Sequence, residues 1–205
     1  MARIDDYRAA RALAAERLSE QAFAAISERT GLACRNDDHF EIRFLDRRYG
    51  IAYPEFQFED MDAPERDIPL QEQVLILHYM EGADPRRSPG DMIAYREIPG
   101  AAFYFGPFVK RAVTPLKETF GRNLEAFHRA CRVLNATPID AGDAGYRFQV
   151  FPQLAMHYIL WEGDEEFDSE ANILFSEATG DCLSPEDAAW LAGMVVYRLM
   201  ALSRG

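Results

Sequence analysis

The chain has 205 residues, of which 48% are apolar, 12% aromatic and 27% charged. This composition excludes a disordered, collagen-like or coiled-coil chain. The 22 basic and 34 acidic side chains give a net charge of −12, so electrostatic repulsion argues against nucleic acid and anionic membranes as partners. A chain of this length favours one globular domain over residues 1–205.

In the first half of the chain, hydrophobic periodicity predicts helices and one hairpin. A helix over Asp5–Arg29 comes first, and Gly31 is its expected C-terminal cap. Strands His39–Leu45 and Gly50–Phe58 follow as an antiparallel hairpin. A second apolar helix is predicted over Leu70–Met80. The first helix, within residues 1–31, thus precedes a core over residues 32–205.

The second half is predicted to contain helices followed by a run of strands. The predicted elements are a strand Met92–Ile98, helices Phe108–Phe120 and Asn123–Leu134, strands Tyr146–Val150, Leu154–Trp161 and Asn172–Phe175, and a last helix capped by Ser184 that runs towards Leu202. Helices and strands segregate along the chain. We therefore expect the α+β class, with a mostly antiparallel sheet packed against several helices.

Cysteine usage and the N-terminus indicate the compartment. Cys34, Cys131 and Cys182 form no C-x-x-C pair, so their spacing encodes neither an iron–sulfur cluster nor a zinc ribbon. Two carboxylates within residues 1–6 do not fit a signal peptide. The longest uncharged stretch, Phe148–Trp161, is shorter than the roughly 20 residues that span a bilayer. We expect a cytoplasmic protein with reduced thiols and no membrane partner.

Four groups of segments together resemble a known family. They are Pro69-Leu70-Gln71-Glu72-Gln73 with Leu77-His78-Tyr79, Tyr95-Arg96-Glu97-Ile98-Pro99-Gly100 with Tyr104, Phe108 and Arg111, Pro115-Leu116 with Phe120-Gly121, and Trp161-Glu162-Gly163-Asp164-Glu165-Glu166-Phe167 with Leu174-Phe175 and Leu183-Ser184-Pro185-Glu186-Asp187. In these segments the chain resembles DUF3786, a bacterial and archaeal family of domains of unknown function. The likeness covers most of the chain after the first helix, and the tryptophan with its acidic segment is its most specific part.

The resemblance implies a metabolic context but names no reaction. Relatives occur in anaerobes and are sometimes fused to cysteine-rich iron–sulfur modules like those beside corrinoid proteins. The resemblance thus implies anaerobic redox metabolism with a redox or corrinoid partner protein. This chain lacks such a cysteine cluster, so a metal centre would come from a partner or a bound ligand.

An acidic run extends from Glu162 to Asp187, with ten carboxylates and no Lys or Arg. Asp164, Glu165 and Glu166 follow a strand and a glycine, where carboxylates can converge on a hard cation or share a proton. The alternative is a solvated turn, and the run lacks the ligand spacing of an EF-hand. We take these three carboxylates and His157 as catalytic candidates, and predict no metal site.

A basic run extends from Lys110 to Arg132, with six cations and two carboxylates. These cations can dock on the acidic run within the fold or bind an anion. Aromatic side chains precede the run, so rings and cations could hold a planar anion such as a flavin, tetrapyrrole or corrinoid, although aromatics at this density also fit a core. The candidate cofactor-binding residues are Tyr95, Arg96, Tyr104, Lys110, Arg111 and Trp161.

Three functions follow from these features. The first is a ligand-binding or accessory domain for an anionic planar cofactor, with a small molecule or a redox or corrinoid protein as partner. The second is an enzyme that uses Asp164, Glu165 or Glu166 for acid–base or metal-assisted chemistry. The third is an interaction module whose acidic face binds a basic partner protein.

Overall fold

The computed structural model describes residues 4–203, which form two compact units. The first unit runs to Ser88 and includes Phe151–Gln153, and the second consists of Pro89–Val150 together with the chain from Leu154 onward. Each unit combines helices with an antiparallel sheet, which confirms the predicted α+β class. That the whole chain is one domain stays a prediction.

Helices and strands alternate unevenly along the chain. The helices are α1 (Ile4–Ser19), α2 (Phe23–Thr30), α3 (Leu70–Gly82), α4 (Phe105–Phe108), α5 (Thr114–Phe120), α6 (Leu124–Val133), α7 (Thr179–Cys182) and α8 (Pro185–Leu202). The strands are β1 (Ala33–Arg35), β2 (His39–Phe44), β3 (Arg47–Ala52), β4 (Gln57–Asp60), β5 (Met92–Ala94), β6 (Thr137–Ile139), β7 (Ala144–Phe151), β8 (Leu154–Trp161) and β9 (Glu170–Ser176). Within residues 4–203, every helix is too short or too polar to cross a membrane.

The first unit is built on a four-stranded meander in which β1, β2, β3 and β4 pair in sequence order, all antiparallel. Alternation along β2 buries Phe40, Ile42 and Phe44, as the period of two in a half-buried strand requires. The ring of Tyr79 on α3 stacks on Phe151 with centroids 4.3 Å apart. Aromatic packing therefore dominates this core.

The predicted helix Asp5–Arg29 is interrupted, and α1 and α2 replace it. The Ser19 hydroxyl donates to the Glu16 carbonyl at 2.7 Å, and the Gln21 side-chain amide donates to the Arg17 carbonyl at 3.1 Å. These polar side chains satisfy the last carbonyls of α1, and such local bonds compete with continued helix. The pattern of apolar residues alone did not reveal this break.

The predicted strand Gly50–Phe58 is divided between β3 and β4, which pair through Ala52 and Gln57. The turn between them contains Pro54, which has no N–H to donate to a sheet ladder. Phe56 adopts a positive φ of 51° and its ring is buried. Side-chain burial at the turn thus overrides the apparent continuity of the strand.

The second unit is built on a five-stranded sheet in the order β5-β9-β8-β7-β6. Tyr158 on β8 donates from its hydroxyl to the Ala192 carbonyl on α8 at 3.0 Å. Phe127 on α6 packs edge-on against Tyr146 on β7, with ring centroids 5.5 Å apart. Helices α6 and α8 therefore share one face of the sheet, and the connection from β8 to β9 lies at the sheet's end.

The predicted strand Met92–Ile98 ends early, because β5 stops at Ala94 and a 3-10 turn follows. The Glu97 carboxylate accepts the Ala94 N–H at 2.6 Å, which removes that donor from strand pairing. Gly100 then turns the chain at a positive φ of 81°, a conformation that glycine adopts without a steric penalty. The following helices contain a π-helical segment, Val109–Val113.

Two predicted helix ends are confirmed by their capping bonds. Gly31 adopts a positive φ of 66°, and its N–H donates to the Ser27 carbonyl at 3.1 Å, the left-handed cap that favours glycine. The Ser184 hydroxyl accepts the Asp187 N–H at 3.1 Å, which is the expected N-cap of α8. Local capping signals therefore located helix ends more reliably than apolar periodicity did.

Candidate functional site

The connection between β8 and β9 carries most of the exposed charge of the acidic run. Trp161, the last residue of β8, pairs with Glu170, the first residue of β9, so the eight residues 162–169 form a closed loop, here called the acidic loop. Its carboxylates and the one that follows it are all exposed, namely Glu162, Asp164, Glu165, Glu166, Asp168 and Glu170. The acidic loop therefore concentrates negative charge at one end of the sheet.

Asp164 fixes the backbone of the acidic loop. Its Oδ1 accepts the N–H of Glu166 at 2.8 Å and the N–H of Phe167 at 2.7 Å, and its own N–H donates to the Phe167 carbonyl at 2.9 Å. Hydrogen bonds from the Phe167 and Glu166 backbone lower the pKa of Asp164. This carboxylate therefore stays ionised and serves the loop as an anchor.

The acidic and basic runs meet at the corner between α5 and α6, and the contacts involve the backbone. The Gly163 N–H donates to the Gly121 carbonyl at 2.9 Å, and the Arg122 guanidinium donates to the Asp164 carbonyl at 3.0 Å. A Cβ at position 121 would overlap the side chain of Ser169. Glycine is therefore needed at position 121 for the acidic loop to pack this closely.

Two aromatic side chains flank the acidic loop and are exposed to solvent. Phe167 is 70% exposed and Trp161 is 39% exposed. Contiguous apolar patches rimmed by polar groups are typical of interaction surfaces, and these two rings are the apolar side chains available to such a patch beside the acidic loop. Because Asp164 holds the Phe167 N–H, the exposed Phe167 ring extends from a fixed backbone.

A polar groove of about 360 Å³ lies beside the acidic loop. The end of α5, the turn after it and the end of the loop line this groove, through Lys117, Glu118, Thr119, Arg122, Asn123, Asp168 and Ser169. Both cations come from the basic run, and Asp168 comes from the acidic run. In this groove of the second unit, the two oppositely charged runs form a concave surface.

Comparison with known proteins places the chain in one family. A family described as a domain of unknown function, DUF3786, matches residues 22–198. The chain belongs to the DUF3786 family. The match includes the acidic loop and the groove, and it confirms the resemblance that the sequence motifs indicated. Comparisons with curated proteins and with solved structures gave no match.

The remaining catalytic candidates of this DUF3786 protein do not share one centre. Glu165 and Glu166 are exposed, while His157 lies on β8 four residues before Trp161, about 13 Å away along an extended strand. His157 is partly buried, and its Nε2 has no hydrogen-bond partner among residues 4–203. Burial, followed by the nearby Arg147 charge, lowers the pKa of His157.

Metal-binding geometry is likewise not found in the described part of the chain. Among residues 4–203, no three or more His, Cys, Asp or Glu side chains are placed to hold a metal ion together. Asp164 directs Oδ1 to two backbone N–H groups, so that oxygen is already engaged. The acidic loop therefore does not resemble a carboxylate cage for a hard cation.

Tyr95, a candidate cofactor-binding residue, belongs to the core. It is 2% exposed, its hydroxyl donates to the Pro185 carbonyl at 2.7 Å, and its ring stacks on Phe108 with centroids 4.2 Å apart. Burial raises the pKa of Tyr95. One face of this ring is therefore covered by the protein's own aromatic side chain.

Three of the other candidate cofactor-binding residues, Arg96, Arg111 and Tyr104, also contact the protein's own side chains. The Arg96 guanidinium lies 3.8 Å from the Phe105 ring centroid, and the Arg111 guanidinium lies 4.6 Å from that of Trp190. Tyr104 hydrogen bonds to Glu186, whose negative charge raises the pKa of Tyr104. Lys110 is exposed, and Trp161 lies beside the acidic loop instead.

A buried polar cluster in the first unit was missed by sequence reasoning. The Tyr49 hydroxyl donates to the Glu72 carboxylate, and Arg47 donates to the Tyr49 hydroxyl at 3.4 Å. Glu72 is 5% exposed and Tyr49 is completely buried. Burial, together with the neighbouring Glu72, raises the pKa of Tyr49. The available signal was a carboxylate within the apolar helix predicted over Leu70–Met80.

Proposed function

We propose that this DUF3786 protein is a non-enzymatic accessory domain that binds a basic surface of a partner protein through the acidic loop. The observation that carries the proposal is the exposure of Phe167, whose backbone Asp164 holds fixed, together with that of Trp161 at the end of β8. Aromatic side chains that pack into a partner's pockets dominate many protein interfaces. A preformed loop also loses less conformational freedom on binding.

The charge of the acidic loop indicates what kind of surface the partner has. Carboxylates surround both rings, and the chain as a whole carries a net charge of −12. Such a field attracts a basic patch and speeds its encounter, and it repels acidic proteins. We therefore propose a partner with a basic patch that contains an apolar pocket for Phe167.

The class of the partner and the compartment are further proposals. The proposed partner is a redox or corrinoid protein of anaerobic metabolism, because the resemblance to DUF3786 implies that setting and the sequence has no cysteine cluster for a metal centre of its own. Free thiols at Cys34, Cys131 and Cys182 fit a reducing cytoplasm. The proposed setting is thus a cytoplasmic complex.

Site-specific photocrosslinking in the source cells tests this proposal. A photoreactive phenylalanine analogue replaces Phe167 in one variant and Phe103, which is 92% exposed, in a matched control. We expect position 167 to crosslink one basic protein that position 103 does not. With that protein purified, Phe167→Ala should weaken binding by about tenfold or more, and added salt should weaken it further.

Two results would contradict the proposal. One is the same set of crosslinked proteins at positions 167 and 103. The other is unchanged affinity for the purified partner when Glu165→Lys and Glu166→Lys reverse the charge of the acidic loop. Because both side chains are exposed, these substitutions should leave the fold intact, which circular dichroism would verify.

The other two functions predicted from the sequence stay predictions. A planar anionic cofactor would compete with Phe108 for one face of Tyr95, and an absorption spectrum of the anaerobically purified protein tests for a tetrapyrrole, corrinoid or flavin. Acid–base chemistry at Glu165 or Glu166 would occur on exposed carboxylates. Neither hypothesis gains a supporting contact from the described residues.

A further inference from the structure

The groove beside the acidic loop contains cationic donors that the protein itself leaves unused. Lys117 makes no side-chain hydrogen bond or ion pair with any residue in the range 4–203, and Arg122 uses one of its N–H groups, towards the Asp164 carbonyl. A guanidinium has five N–H donors in a planar fork. Several donors of both cations are therefore available to a ligand in the groove.

The groove also contains carboxylates that its cations do not neutralise. Glu118 and Asp168 line it, both are exposed, and neither forms an ion pair with Lys117 or Arg122. Two positive and two negative side chains thus face the same space without pairing. A polyanion such as a nucleotide would be repelled by the two carboxylates, and a simple amine would be repelled by the two cations.

A ligand with one charge of each sign satisfies this arrangement. We propose that the groove binds a small zwitterion of the amino-acid class, with its carboxylate at Lys117 and Arg122 and its ammonium group at Glu118 and Asp168. Planar carboxylates match the guanidinium fork, and charge-assisted hydrogen bonds are stronger than neutral ones. The groove's volume of about 360 Å³ falls in the range typical of small-molecule sites.

The walls of the groove are held in place by contacts that a ligand does not have to form. Ser169 packs against Gly121, where a Cβ would overlap its side chain. The Asn123 side chain accepts the Ala126 N–H at 3.1 Å and caps α6. The backbone of the groove is therefore preformed, which limits the entropy cost of binding to the ordering of the charged side chains. This small-molecule site goes beyond the proposed partner binding, which depends on Phe167 and Trp161.

Calorimetric titration of the full chain with individual free amino acids tests the site, with succinate and putrescine as probes of a single charge sign. We expect saturable binding of at least one amino acid, and weaker binding of succinate and putrescine. Lys117→Met should weaken the binding of the amino acid by about tenfold or more. Asp168→Asn should weaken it similarly, whereas Arg129→Gln, an exposed cation outside the groove, should not.

Several outcomes would overturn the proposal. The first is that no amino acid binds saturably at about 10 mM, a concentration at which even weak sites fill. The second is that succinate binds more tightly than every amino acid. The third is that Lys117→Met and Arg129→Gln have equal effects on amino-acid binding. Arg122→Gln is a useful second variant, because it should weaken the binding of the amino acid and also remove the hydrogen bond to the Asp164 carbonyl. Since the Lys117 side chain makes no hydrogen bond or ion pair with the acidic loop among residues 4–203, Lys117→Met should leave partner crosslinking at position 167 unchanged, which separates this site from partner binding.

Discussion

The Arg122 guanidinium donates to the Asp164 carbonyl at 3.0 Å, which joins the basic run to the acidic run through a backbone oxygen and leaves the Asp164 carboxylate to cap its own loop. At this contact the charged groups of the two runs therefore do not form an ion pair with each other. Carboxylates that remain exposed can attract a partner, and cations that remain unpaired can bind a ligand. This hydrogen bond thus helps to hold the acidic loop in place and leaves its carboxylates available to a partner.

The first prediction concerns the order of the acidic loop. Asp164→Ala removes the acceptor of the Glu166 and Phe167 N–H groups, so both amides should exchange with solvent faster. Since the carboxylate is exposed, the thermal midpoint of unfolding should change little. Hydrogen exchange measured by NMR checks this, with Glu165→Ala as the control. Equal exchange rates in the wild type and the Asp164 variant would contradict the anchoring role.

The second prediction concerns the buried cluster of the first unit. Tyr49→Phe removes the hydroxyl that donates to Glu72, and the loss of a partner for a buried carboxylate should cost about 1–3 kcal/mol. Tyr53→Phe, which removes a half-buried hydroxyl bonded to the Gln21 carbonyl at 2.7 Å, should cost less. Denaturant titration followed by circular dichroism compares the two variants. A smaller loss of unfolding free energy for Tyr49→Phe than for Tyr53→Phe would argue against a stabilising cluster.

The third prediction concerns pH. Burial and then Arg147 lower the pKa of His157, so between this folded value and the unfolded value of about 6.5 the unfolded chain binds more protons than the folded chain. The free energy of unfolding should therefore fall as the pH falls through this window. His157→Leu should reduce that dependence, as denaturation at several pH values would show. An NMR titration that gave His157 a pKa above 6.5 would contradict the direction.

Much of the fold could be predicted from the sequence because local signals and burial agreed. The uncharged, mostly apolar run Leu154–Trp161 was correctly predicted to form a strand, β8, and the Ser184 cap located the start of α8. The break after Ser19 and the turn at Phe56 were missed because side-chain hydrogen bonds and burial at those positions override periodicity. The bonds of Ser19 and Gln21 reach only three or four residues along the chain, but apolar periodicity does not record hydrogen bonds, and it does not record the tertiary packing that buries Phe56.

The candidate site was predicted in its parts and missed in its assembly. Trp161 and the carboxylates of the acidic loop were identified from composition and from the DUF3786 resemblance. Tyr95 was assigned to a ligand site, although its ring is buried against Phe108; aromatic residues have the same sequence signature in a pocket and in a core. The groove was missed because Lys117 and Ser169 are 52 residues apart in the sequence, and the tertiary contacts of Gly121 and Arg122 with the acidic loop bring them together.

The last prediction concerns that contact. Gly121→Ala adds a methyl group where the Ser169 side chain already lies, and such overpacking typically costs about 1–3 kcal/mol. The acidic loop should move away from the corner between α5 and α6. This movement would widen the groove and weaken the binding of any ligand there. Gly106→Ala is the matched control, because a Cβ at position 106 meets nothing within 4 Å, and it should be neutral or stabilising by up to about 1 kcal/mol. Denaturant titration of both variants, with hydrogen exchange of the Gly163 amide, separates the two cases. If Gly121→Ala matched Gly106→Ala in stability and left the Gly163 amide protected, close packing at position 121 would not be what positions the acidic loop.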